Sequence, residues 1–259
     1  MPILTRPDYN IHYTLEGPAA APLLVLSNSL GADLTMWDAQ AKEFSQRFRV
    51  LRYDNRGHGR STASLGPYSL EQVAGDAALL LEHLGEKSAH YCGLSLGGMV
   101  GMWLAINRPE LIDKLVLCHT SVHLPPRENW DSRIAAVRQD GMQAVVKIVI
   151  ERWFTEDFRS ASPEAIAPVE RSFLNVSVEG YVGCCAAIRD MDQRETMSRI
   201  KTATLVIAGA YDPATPPAMG QYIAATIPGA RYVELPAAHL SNIEAAPKFN
   251  DTVSQFLSS

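Results

Sequence analysis

Short apolar runs alternate along most of this 259-residue chain with stretches whose apolar residues recur at helical spacing. Leu23 to Ser27, Arg49 to Tyr53, Ala89 to Cys92, Leu115 to Cys118, Thr204 to Ala208 and Arg231 to Leu235 read as strands. Leu70 to Leu84 and Met99 to Asn107 read as helices, and Pro247 to Leu257 as a closing helix. A strand that is apolar at consecutive positions must be covered on both faces. The alternation therefore predicts an α/β fold, with a mostly parallel central sheet and helices on both sides.

One segment breaks the rhythm. From about His123 to Gln193 no buried strand is legible, and Trp130 to Gln139, Met142 to Phe154 and Pro163 to Asn175 are candidate helices. Roughly seventy residues of helix between two strands far exceed an ordinary crossover. The expected organisation is a core of residues 1–122 and 196–259 with a helical lid, residues 123–195, over the carboxyl ends of the strands. Open α/β sheets bind their ligands at those ends.

Composition removes several function classes. The hydrophobic and charged fractions, 47% and 20%, are those of an ordinary globular protein. A net charge of −5 without clustered basic residues argues against nucleic acid or an anionic membrane as partner. Cys92, Cys118, Cys184 and Cys185 have neither disulfide nor metal-ligand spacing and read as small buried residues. No basic leader precedes an apolar stretch, and no apolar run approaches ~18 residues, so a reducing, cytoplasmic setting is expected.

The chemistry concentrates at three points. Gly93-Leu94-Ser95-Leu96-Gly97 is a G-x-S-x-G motif between a predicted strand and a predicted helix, the setting of a nucleophile elbow. Ser95 is the candidate nucleophile, although a serine there could also merely cap the helix. Serine needs a base, and a neutral imidazole needs an orienting acid. Asp212 follows a predicted strand in a Gly209-to-Pro213 turn, and His239 follows the last one, giving the order Ser…Asp…His. The position after Leu115 to Cys118, where such an acid could also sit, holds His119 and Thr120. His12 and His83 fall on a putative strand and helix early in the chain and read as surface residues. For an oxyanion, the backbone N–H groups of Leu96 and Leu30 are the candidate donors, with Gly31 permitting the turn that aims the latter.

Ser27-Asn28-Ser29-Leu30-Gly31, Asp54 to Ser61, Cys92 to Gly98 and the Asp212 and His239 segments resemble the α/β-hydrolase superfamily across the whole core. Leu26 to Gly31, Met36-Trp37 and Pro236 to Glu244 are more narrowly similar to the 3-oxoadipate enol-lactonases of bacterial aromatic catabolism, in the β-ketoadipate pathway. The resemblance implies opening of 3-oxoadipate enol-lactone to 3-oxoadipate by an acyl-enzyme route with no metal and no organic cofactor. Such a substrate is a small anionic lactone, which needs a local cation in a chain of net negative charge. Trp130 and Arg133 would share a helix face in the lid and are the candidate substrate-binding pair. Arg127, Arg138 and Arg152 are further candidates. Rival expectations are a carboxylesterase, a carbon–carbon bond hydrolase or a haloperoxidase-like relative, and from another class a ligand receptor on a hydrolase scaffold. Dehalogenases and epoxide hydrolases, which resemble this fold, carry Asp where Ser95 stands.

Overall fold

The computed structural model describes residues 2–259. Eight strands form one sheet: β1 (Ile3–Thr5), β2 (Asn10–Glu16), β3 (Leu23–Ser27), β4 (Arg49–Tyr53), β5 (Ala89–Leu94), β6 (Ile112–Cys118), β7 (Ala203–Gly209) and β8 (Arg231–Leu235). Their spatial order is β1-β2-β4-β3-β5-β6-β7-β8. β1, β2 and β4 pair antiparallel, and β4 through β8 are parallel. Every residue of β3 is buried, as its unbroken apolar run requires. All six predicted strands form, with ends within three residues of expectation. β1 was not expected, and β2 only as a strand of unstated bounds around His12, because β2 (Asn-Ile-His-Tyr-Thr-Leu-Glu) interleaves polar residues.

Helices α1 (Asp38–Phe44), α2 (Leu70–His83) and α3 (Leu96–Asn107) follow strands of the first half. Ser69 accepts the Gln72 N–H and Gln72 reaches back to the Ser69 N–H, a capping box that fixes where α2 starts. Between β6 and β7 the chain is helical: α4 (Arg127–Asp140), α5 (Val146–Trp153), α6 (Glu156–Ala161), α7 (Pro163–Leu174) and α8 (Val178–Asp190). α9 (Pro217–Thr226), α10 (Ser241–Glu244) and α11 (Ala246–Leu257) complete the chain. Among the described residues, no helix is long and apolar enough to cross a membrane. All four cysteines are buried and unbridged.

Strand order decides where a ligand can enter. From β3 the chain steps to β4 on one side and then returns to lay β5 on the other. The loops leaving β3 and β5 therefore diverge in opposite directions and open a crevice between two adjacent strand ends. Ser27 of β3 lies opposite Gly93 of β5, so the Asn28–Gly31 loop and Ser95 meet at that crevice.

Candidate active site

Ser95 joins β5 to α3 with φ 57° and ψ −112°, a left-handed backbone that non-glycine residues avoid. The elbow is held by the Ser95 N–H donating to Cys118 O (2.8 Å) and by Thr120 Oγ1 donating to Ser95 O (2.8 Å). A Cβ at Gly93 would lie 2.2 Å from Gly97 O, and one at Gly97 2.2 Å from Ser27 O, so neither position admits a side chain. The Ser95 hydroxyl makes no capping hydrogen bond to α3, which removes the capping alternative.

Asp212 and His239 stand on the loops after β7 and β8. Asp212 Oδ1 accepts the N–H groups of Ala214 (2.8 Å) and Thr215 (3.0 Å), and Oδ2 accepts from Thr215 Oγ1 (2.7 Å) and His239 Nδ1 (2.8 Å). Burial alone would raise this carboxyl. The attraction of His239 and hydrogen bonds from His119 and His239 outweigh it and hold Asp212 well below the usual carboxylate range. With Nδ1 bound to Asp212, His239 presents Nε2 to the cavity that it shares with Ser95. The His239 loop is tied to the helical insertion by Leu240 N–H donating to Trp153 O (3.0 Å). Glu244 adds a second tie, accepting from Ala238 N–H (2.9 Å) and from Thr155.

The Leu30 turn is positioned by a histidine. His58 is fully buried, and burial pulls it from 6.5 down to about 4, so it is neutral. Its Nδ1 donates to Arg56 O (2.9 Å), leaving Nε2 to accept the Gly31 N–H at 3.0 Å. Gly31 has φ 86°, which permits the turn. The Gly31 N–H is thereby spent, whereas those of Leu30 and Leu96 are donated to no turn, loop or side-chain acceptor among the described residues. The structure thus leaves these two groups beside Ser95 available to an incoming oxygen.

Above them is a cavity of about 340 Å³, within the size range of small-molecule sites. Its floor includes Ser29, Leu30, Ser95 and His239, and its roof is the helical insertion, with Trp130, Arg133, Arg152, Trp153 and Tyr181. Trp130 and Arg133 do share a face, with the guanidinium 5.1 Å from the ring centroid. Arg152 joins them. Of the other candidate arginines, Arg127 pairs with Asp190 on the surface and Arg138 is exposed, and neither lines the cavity. Burial and the nearby Arg133 charge lower the Arg152 pKa, against an opposing pull from Tyr181. Neither Arg133 nor Arg152 has a carboxylate partner among the described residues. Two uncompensated guanidinium groups make the roof receptive to an anion.

Two expectations need correction. His12 is buried, and its Nδ1 lies 2.8 Å from Asp54 Oδ2; it belongs to the packing behind the β4 loop, where a surface position was expected. His119, set aside because the acid was sought there, reaches Asp212 at 3.1 Å and Ser241 Oγ at 2.6 Å. Its location at a strand's carboxyl end was the available signal. The donor atoms of His119, Asp212 and His239 all lie within 4.8 Å of one another, and the hydrogen bonds to Asp212 account for that grouping.

Known proteins resemble this chain over its whole length. Residues 22–246 match the family described as the alpha/beta hydrolase fold. The chain is 38% identical to 3-oxoadipate enol-lactonase 2 of Acinetobacter baylyi over 96% of its length and 94% of that protein. It is 32% identical to a putative carbamate hydrolase RutD of Pseudomonas savastanoi, covering 92% of this chain and 95% of that one. The crystal structure of an enol-lactonase from Burkholderia xenovorans superposes with a TM-score of 0.98 at 43% identity and covers all of both chains. On the family match and these identities, the protein belongs to the alpha/beta hydrolase fold family.

Proposed function

We propose that this hydrolase opens 3-oxoadipate enol-lactone to 3-oxoadipate, with Ser95 as nucleophile, His239 as base and Asp212 as its orienting acid. The observation that carries this is a single cavity joining Ser95 and His239 to two arginines that, among the described residues, lack carboxylate partners. Likeness to enol-lactonases over nearly the whole chain supports the same substrate. In this mechanism His239 Nε2 takes the Ser95 proton as Oγ attacks the lactone carbonyl. The resulting oxyanion accepts the N–H groups of Leu30 and Leu96. Collapse breaks the ring C–O bond and expels an enolate, which takes the proton from His239 and tautomerises to the ketone. That tautomerisation removes the nucleophile that would re-close the ring. Water, deprotonated by His239, then releases the acid and restores Ser95. Arg133 or Arg152 holds the substrate carboxylate against the Trp130 face. None of these steps calls on a metal or organic cofactor, and the four unbridged cysteines suit a cytoplasmic setting.

The carbamate hydrolase relatives supply a second reading. A cavity of about 340 Å³ walled by Trp130, Trp153 and Tyr181 exceeds what a bare carbamate fills, which favours the lactone. Purified protein should be assayed on the enol-lactone, a neutral ester of similar size and a carbamate, with Arg133→Ala in parallel. The enol-lactone should be turned over most efficiently. Arg133→Ala should lower its kcat/KM about ten- to a hundred-fold while sparing the neutral ester. Absence of enol-lactone turnover beside brisk ester hydrolysis would sink the substrate. Equal losses on both would remove Arg133 from carboxylate recognition.

A further inference from the structure

Asp212 is bound by more than one histidine. Its Oδ2 faces Thr215 Oγ1 (2.7 Å), His239 Nδ1 (2.8 Å) and His119 Nδ1 (3.1 Å), while Oδ1 takes two backbone N–H groups. An ionised carboxylate only accepts, so both imidazoles must carry their proton on Nδ1. His119 is fully buried, and burial lowers its pKa against the pull of Asp212, so it is neutral and its Nε2 bears a lone pair. Ser241 Oγ, 2.6 Å from that nitrogen, must then be the donor. The proton order is therefore fixed: Ser241 hydroxyl to His119 Nε2, and His119 Nδ1–H to Asp212. The two rings meet edge to face, with centroids 5.8 Å apart. His119 holds this place with φ 46°, a backbone cost that a residue serving only to fill space would not require.

We propose that His119 is a positioning residue, a neutral second donor to Asp212 Oδ2 that fixes the carboxylate and limits how strongly it holds the proton that His239 takes from Ser95. The inference rests on Ser95, His239 and Asp212 acting as assigned above. Five donors on about four lone-pair sites compete, so each one weakens the pull on the others. The charged and titratable groups around the pair are Asp212 itself, Glu244 from α10, and Arg133, Arg152 and Tyr181 across the cavity. Glu244 is already engaged by Ala238 N–H and Thr155. Removal of His119 leaves Asp212 with fewer donors and strengthens its hold on the protonated His239. The base is then lost at higher pH.

The test is the acid limb of the kcat/KM profile in wild type, His119→Ala and His119→Asn. His119→Ala should move the limb up by about half to one pH unit and lower kcat with little change in KM. His119→Asn keeps an N–H near the Nδ1 position and suits a left-handed backbone, so its limb should return towards wild type. A His119→Ala limb coincident with wild type would reduce His119 to packing and overturn the inference. Should His119→Ala not fold, nitrogen-15 NMR of the wild-type imidazoles at neutral pH decides. His119 must appear as the Nδ1–H tautomer, and an Nε2–H tautomer refutes the relay. Activity surviving in Ser95→Ala would instead bring down the underlying triad, which keeps the two failures distinct.

Discussion

Replacing His58 with glutamine removes a titrating group from behind the Leu30–Gly31 turn while keeping an acceptor for the Gly31 N–H. In the native protein this imidazole is sealed from water and titrates at about 4, where an ordinary histidine titrates at 6.5, because burial disfavours the cation. Between those pH values the unfolded chain binds a proton that the folded protein refuses. Stability therefore rises with pH across this window and, for this group, is flat above about 6.5. At about 1.4 kcal/mol per tenfold change in proton affinity, the depression amounts to roughly 3 kcal/mol, all of it present above pH 6.5 and lost as pH falls towards 4. His119 and His90 are also pushed down by burial, and Asp212 is held low, but these remain in both proteins and cancel in the comparison. Urea denaturation of wild type and His58→Gln at several pH values from about 4.5 to 7.5 isolates the contribution of His58. The variant carries a constant offset from its altered packing. Against that offset, the stability difference should change by about 2–3 kcal/mol across the range, wild type losing more on acidification. Parallel stability curves would refute the claim that His58 is held neutral inside the fold.

Ser95→Ala should lose about 10⁴-fold or more of its turnover while its thermal unfolding stays close to wild type, since the hydroxyl supports no helix cap; near-normal activity would remove Ser95 as nucleophile. Asp76→Asn should cost about 3–5 kcal/mol in urea denaturation, because it strands the buried Arg56 guanidinium, which Asp76 meets with two hydrogen bonds of 2.5 and 2.8 Å. A loss under about 1 kcal/mol would show that the pair is solvated in practice.

Local pattern reported burial reliably for the strands that are covered on both faces. β3 and β4 end where their apolar runs end, and the helical stretch between β6 and β7 stood out because a parallel sheet leaves no other use for so long a helical segment. The elbow was legible because its glycines are required: Gly93 by a clash within the turn itself, and Gly97 by the close approach of Ser27 on β3. The unexpected elements were not all exposed: α8 is buried from Gly180 to Ile188, and its small residues leave no apolar stripe to read. α6 buries none of its residues, and β2 interleaves polar positions, so neither leaves a clean periodic trace. Asp212 and His239 could be picked out because each follows a strand. The same rule applied to His119, but nothing local says that a residue after β6 will share a carboxylate oxygen with one after β8. That depends on β6, β7 and β8 being neighbours, which long-range pairing decides. The arginines of the helical insertion show the same division. Five residues along a helix turn a side chain well away from its starting face, so Arg133 and Arg138 could not both line one cavity. Which of them does so, and that Arg152 from another helix joins it, was settled only when α4 and α5 packed over the crevice between β3 and β5.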